Sequence, residues 1–348
     1  IFFSILFLLS LFFSLNANTI IEKFKEYNTK TFDELLMIRR RIERIYAPDE
    51  FVEITPPNLQ NMMDKYNNFF YVLIDSGNVG SKMNAFYLAK YIDMITVDKY
   101  YIGPINELTI PENISSFVIK PINLSASRGL LIIKDHINIM NNQKFDNNDD
   151  IVSYYINKYS DFPEDTEYLV EEFIKDDIRP LQINFYSFNG KTPIVKVAKW
   201  TDVDKKYKCI YDDKWSLLHD FNDNNNTVNK IPKPSGFNKA LESANKMSKM
   251  LGTFIRIDFL VDNKSGVLKM NETSTLPLCA KQYTIYYTKD KSTGKKIKHK
   301  KLLLTDKMQK QLGQEFMNCF PFNHPDYKEM YKKSLSYTTP EPCRLNYK

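Results

Sequence analysis

The stretch "RIDFLVDNKSGVLKMNETS", residues 256–274, constrains the fold of this chain more than any other. Two apolar runs flank Asp262-Asn263-Lys264-Ser265-Gly266, a solvated turn of the kind that joins paired antiparallel strands. Asp258 lies near the start of the first run and Glu272 at the end of the second, between Arg256 on one side and the small hydroxyls of Thr273 and Ser274 on the other. The segment has two readings. In an ordinary hairpin both acids point at water. In the other, both share one strand face and hold a hard divalent cation such as Mg²⁺, which takes carboxylate oxygens together with substrate phosphates.

The chain has 348 residues, 43% hydrophobic and 26% charged, enough for two or three soluble domains. With only 10 glycines, scarcity favours a positional role for each. The formal net charge of +6 owes much to "KDKSTGKKIKHKK", residues 289–301. That run is a solvated loop or, on the alternative reading, a contact for an anionic glycan or membrane surface. No nucleic-acid motif accompanies it, so nucleic acid is not an expected partner. Cys209, Cys279, Cys319 and Cys343 lack the spacing of a zinc site. Cys319 and Cys343 could pair in an oxidising compartment.

Residues 1–17, "IFFSILFLLSLFFSLNA", form an uncharged apolar run, short for a membrane span and suited to a signal peptide or signal anchor. The expectation is a secretory-lumen or membrane-anchored protein, with a cytoplasmic one as the alternative.

Further along, "TIIEKFKEYNTKTFDELLMIRRRIERIYA" has helical spacing, and "FFYVLIDSGNVGSKMNAFYLAKYI" reads as strand, turn and helix. "SSFVIKPINLSASRGLLIIKD" is strand, small-residue loop, strand. Its Lys120 supplies a point charge, and Ser125, Ser127, Arg128 and Gly129 let backbone N–H groups approach phosphate oxygens. It is a phosphate flap or a plain polar hairpin, and no Walker A pattern is present. "YLVEEFI" is an apolar strand carrying Glu171 and Glu172, then Phe173 and Ile174, fit to edge an adenine or to be an ordinary strand end. "PLQINFYSFNGKTPIVKVAKW" is a hairpin bent at Asn189-Gly190, and "FNKALESANKMSKML" is a helix. Strands and helices interleave with several hairpins, which makes the chain mixed α and β.

The order of these motifs resembles the ATP-grasp superfamily over about residues 70–285: Lys120-Pro121, Ser125 to Gly129, Glu171 to Ile174, Arg256-Ile257-Asp258 and Glu272-Thr273-Ser274. It is more similar still to the TupA-like ATP-grasp group, named for teichuronopeptide synthesis, in "FVIKP", "EEFI", "FYSFNGK", "YDDKW" at 211–215, "IPKP" at 231–234, "RIDF" and "NET". The resemblance implies an α+β fold with two lobes clasping ATP and a small N-terminal α/β domain. The implied organisation is a leader at 1–17, an N-terminal α/β region at 18–110, a small lobe with the phosphate flap at 111–172, a large lobe with the metal site at 173–288, and a basic tail at 289–348.

By the same resemblance, Asp258 and Glu272 hold Mg²⁺. Lys82, Lys120, Ser125, Ser127 and Gly129 bind the ATP phosphates, and Glu171, Phe173 and Ile174 bracket adenine. Arg256 and Lys199 serve the reacting centre. Serine at 81 replaces the aspartate that often precedes the family's lysine at 82, and Ser274 stands where ligases carry asparagine. The implied activity is an Mg²⁺- and ATP-dependent carboxylate–amine ligase working through an acyl phosphate. Its expected substrate is a small molecule or a surface-glycan carboxylate. A glycan kinase and a nucleotide-binding pseudoenzyme are the alternatives.

Overall fold

The computed structural model describes residues 30–46, 54–74, 81–122, 129–159, 162, 166–174, 179–200, 206–221, 230–275, 283–289, 296–302 and 304–336. The apolar leader at 1–17 and Ser125, Ser127 and Cys343 lie outside them. Among the described residues no helix is long and apolar enough to cross a membrane. The chain forms two compact units, one of residues 43–277 and one of 1–42 with 278–348.

In the second of these units, helix α1 (Phe32–Tyr46) packs Phe32 edge-on against Phe316 of α6 (Asp306–Met317). The Arg39 guanidinium lies over the same ring at 5.0 Å. Phe322 bridges Phe316 and Tyr327 of α7 (Tyr327–Leu335). Thr305 caps α6, its hydroxyl accepting from the Met308 N–H, and so satisfies one of the helix's free N–H groups. Residues 296–301 were expected in a solvated loop. They belong instead to β14 (Lys296–Leu302), which pairs antiparallel with β13 (Tyr283–Lys289). The β-branched and aromatic residues of "YTIYYT" have the strand propensity that a loop reading overlooks.

The larger unit holds two six-stranded antiparallel sheets. The first runs β1 (Lys99–Pro104), β6 (Glu167–Glu172), β2 (Phe117–Pro121), β3 (Leu131–Lys134), β4 (Ile137–Asn138), β5 (Gln143–Lys144). One face buries Phe117, Ile119, Ile133 and Val170 against Ile151 and Tyr155 of helix α4 (Asn148–Lys158). Asn147 starts that helix by accepting from the Asp150 N–H. Strand alternation then turns Lys99, Lys120 and Glu171 to the other face.

The second sheet runs β10 (Leu217–Phe221), β9 (Lys206–Tyr211), β8 (Lys191–Trp200), β7 (Gln182–Phe188), β11 (Phe254–Val261), β12 (Leu268–Ser274). Its helix is α5 (Phe237–Leu251), which buries Phe237, Ala240, Ala244, Met247 and Leu251 at helical spacing and ends on Gly252 in the left-handed conformation. Phe185 stacks on Phe237 and meets Phe259 edge-on, which fixes the helix-facing side of β7 and β11. The β7–β8 bend places Asn189 at φ 43° and Gly190 at φ 92°, the geometry that an Asn-Gly hairpin turn supplies.

The "YDDKW" and "IPKP" segments meet here. Trp215 stacks on Tyr211 at 4.4 Å and donates its indole N–H to the Ile231 carbonyl, while the Tyr211 hydroxyl accepts from the Ile231 N–H. These motifs build the lobe's packing.

The expected strand at 69–74 is a 3₁₀ turn, Asn67–Ile74. Phe70 through Ile74 are buried one after another, so no alternation selects a strand. Two helices precede β1 in this region, α2 (Leu59–Tyr66) and α3 (Ser81–Tyr91). The first strand, β1, belongs to the small-lobe sheet, so that sheet begins at Lys99, inside the stretch expected to be the N-terminal α/β region.

Candidate active site

The hairpin at 256–274 forms as β11 and β12, with Asp258 directly across from Glu272. A β-bulge at that pair inserts Asn271 into β12. Arg256, two residues before Asp258 and hence on the same face, lays its guanidinium along the carboxylate. Its Nε donates to Asp258 Oδ1 at 2.7 Å and its Nη2 to Oδ2 at 2.6 Å, with Glu272 Oε1 at 3.5 Å. Asp258 is wholly buried. Burial is the largest influence on Arg256 and works against its charge, but Asp258, Tyr186 and Glu272 together outweigh it and hold the guanidinium above its ordinary pKa. Burial and then the Asp258 charge push the Glu272 carboxyl up, against the pull of Arg256, Lys120 and Lys82.

On the small-lobe sheet the arrangement is inverted. Glu171 is buried between two ammoniums, with Lys99 Nζ and Lys120 Nζ each 2.6 Å from one of its oxygens. Burial is the largest influence on Glu171 and opposes its charge. Lys120 and Lys99 together overcome it and hold the carboxyl below its ordinary range. Lys120 also donates to Asn271 Oδ1 at 3.0 Å, which ties the β2 end to the bulge on β12. Lys82, on α3, donates to the carbonyls of Pro121 at 3.2 Å and Ile122 at 2.7 Å. Its pKa is lowered to about 8, first by burial and then by the Lys120 charge.

Six of the residues singled out from sequence therefore gather in one place: Lys82, Lys120, Glu171, Arg256, Asp258 and Glu272. Phe173 and Ile174 follow β6 and are buried. Glu171 does not present a free carboxylate to an adenine amine, because both its oxygens are engaged by lysines. Gly129 has a positional role. It adopts φ +69°, a Cβ there would meet Pro121 Cγ at 2.7 Å and Phe162 at 2.8 Å, and its carbonyl accepts from the buried Tyr155 hydroxyl.

Lys199 is not part of the cluster. In β8 it alternates to the face opposite Lys196 and is exposed, whereas Lys196 stands across from Asn184, itself across from Asp258. Lys99 was not singled out from sequence. Its only sequence signal is a lysine at the start of an apolar strand, and the β1–β6 register is what sets it opposite Glu171.

The donor set fits a hard divalent cation. The wholly buried Asp258 carboxylate and the partly exposed Glu272 carboxylate face each other across a strand pair, and a guanidinium now supplies the positive charge they require. Hard cations of this kind complete their shells with water, neutral oxygens and substrate phosphates.

The TupA-like ATP-grasp family model matches residues 58–298, and the chain belongs to that family. The α+β architecture is the ATP-grasp fold of that family, and solved ligases bear a partial likeness to the chain. D-alanine–D-alanine ligase from Bacillus anthracis, complexed with ATP, is 18% identical with a TM-score of 0.37, covering 59% of this chain and 56% of that one. An L-amino acid ligase from Bacillus licheniformis is 11% identical with a TM-score of 0.35, covering 70% and 55%. Biotin carboxylase from Campylobacter jejuni is 12% identical with a TM-score of 0.39, covering 76% and 48%. The chain thus spans between 48% and 56% of the length of these three structures. No curated protein matches it.

Proposed function

We propose that this chain is an ATP-dependent carboxylate–amine ligase whose acceptor is a carboxylate on a surface polysaccharide or other glycan. The observation that carries the reading is the inverted pair of clusters. A lysine-rich face suits phosphate oxygens, and a carboxylate pair with an arginine suits a cation and a developing negative charge.

Asp258 and Glu272 would hold Mg²⁺, which when bound neutralises charge on the phosphates. In the overall reaction a carboxylate oxygen takes the γ-phosphoryl group of ATP, releasing ADP. An amine then forms the amide bond as phosphate leaves with the acyl–oxygen bond, and the amine proton passes to solvent. Lys120 and Lys82 supply ammonium donors to phosphate oxygens. Arg256, held in place by its fork on Asp258, offers a fixed positive charge to the oxyanion of the acyl centre. The acceptor class rests on family membership alone, and the apolar run at 1–17 supports a secretory-lumen or membrane-anchored setting.

Hydroxylamine added to enzyme, MgATP and a uronic-acid oligosaccharide tests the chemistry. The expected product is an acyl hydroxamate formed with stoichiometric ADP. A phosphorylated glycan hydroxyl with no hydroxamate would replace the ligase with a kinase, and an absence of any Mg²⁺-dependent ATP turnover would leave a nucleotide-binding pseudoenzyme.

A further inference from the structure

Asn184 on β7 is the residue directly across from Asp258. It is 1% exposed, yet among the described residues neither its amide oxygen nor its amide nitrogen has a hydrogen-bond partner. Buried side-chain amides are normally paired, and one that is not needs an explanation, an ordered water or an ion among them. The direction of the side chain follows from its neighbour. Phe185 stacks on α5, so Asn184 points to the opposite face, where Arg256 and Asp258 lie.

The amide nitrogen also has a local reason to lack an acceptor. Both oxygens of Asp258, the nearest acceptor in register, are taken by the Arg256 fork. On the far side of Asn184 the facing residue is Lys196, which offers only donors. An amide oxygen between an ammonium and a carboxylate, facing away from the packing helix, suits a hard cation that the carboxylate already attracts.

We infer that Asn184 is a neutral oxygen ligand, direct or through one water, of the divalent cation held by Asp258 and Glu272. The inference rests on the metal reading of those two acids. It makes the site a three-strand construction, with oxygens from β7, β11 and β12.

The test is titration of Mn²⁺ alone into the intact protein, followed by loss of the free-ion paramagnetic resonance signal, with thermal melting in chelator as a second readout. Asn184→Leu is expected to weaken Mn²⁺ binding about tenfold, the scale of losing a supporting metal contact. Its melting temperature in chelator should be equal to or above that of the unaltered protein, because a buried unpaired amide has been removed. Asn184→Asp, which adds charge to the same oxygen, should bind Mn²⁺ more tightly. Wild-type affinity in the leucine variant, or an equal loss in both variants, would overturn the inference. If the leucine variant does not fold, the aspartate variant decides: tighter binding supports the ligand, and unchanged or weaker binding removes it. Asp258→Asn separates the two levels. If it too binds Mn²⁺ like the unaltered protein, or if that protein binds none, the metal reading itself falls.

Discussion

The two charged clusters of the larger unit use the same kinds of side chain in opposite ratio. On the small-lobe sheet a single carboxylate, Glu171, sits between the ammoniums of Lys99 and Lys120, with Lys82 nearby. On the other sheet a single guanidinium, Arg256, sits against the carboxylates of Asp258 and Glu272. In each cluster the most deeply buried carboxylate, Glu171 or Asp258, is held in internal ion pairs. Each also carries a surplus of one sign. On the proposed function the lysine-rich side would meet an anion and the acid-rich side a cation, and a metal–polyphosphate complex carries both. The contrast explains why Glu171 resembles a binding residue in sequence but works as a counter-ion, while Glu272, with its carboxyl pushed up by burial and by Asp258, is the one short of positive charge.

The largest expected effect falls on the acid-rich side. Asp258→Asn keeps the side-chain shape, removes the charge that organises Arg256, and should lower Mg²⁺-dependent ATP turnover by about 10²-fold or more. Steady-state ADP release measures it, and a wild-type rate would show that this cluster is structural. On the lysine-rich side Lys120→Ala should weaken binding of a non-hydrolysable ATP analogue by about 1–3 kcal/mol in isothermal titration. The fold should survive, because Glu171 keeps Lys99 as its partner.

A smaller effect is expected from Lys82, whose pKa stands lowered from 10.5 to about 8. Between those values the unfolded chain binds the extra proton and the folded one does not, so this residue's contribution to stability rises with pH across the window. Phosphate oxygens favour the ammonium, so nucleotide binding near pH 8 should take up about half a proton and weaken as pH rises further. Titrations in two buffers of different ionisation enthalpy detect the uptake, and identical heats would place Lys82 outside the anion side. The smallest effect should come from Lys199→Ala. Exposed on the far face of β8, it should change stability by less than about 0.5 kcal/mol and leave turnover intact.

The sequence alone was enough for whatever depends on neighbours along the chain. The turn at 262–266 and the Asn189-Gly190 bend set two hairpins, and alternation within β11 puts Arg256 and Asp258 on one face. The spacing of Phe237, Ala240, Ala244, Met247 and Leu251 set a helix. The family's ordered motifs then carried Lys82, Lys120, Glu171, Asp258 and Glu272 to one site. Tertiary structure decided what depends on register between distant segments. Nothing near Lys99 in the chain signals that it faces Glu171, and nothing near Asn184 signals that it faces Asp258, because each partner lies on a strand many residues away. Lys196 and Lys199 look alike in "VKVAKW", and only pairing of β8 with β7 shows which one turns toward the acids. The same holds for residues 69–74, whose continuous apolar run fits a strand or a buried turn equally well until the neighbours that surround it are known. Local pattern fixes which way a side chain points from its own strand; the cross-strand hydrogen bonds fix what it meets there.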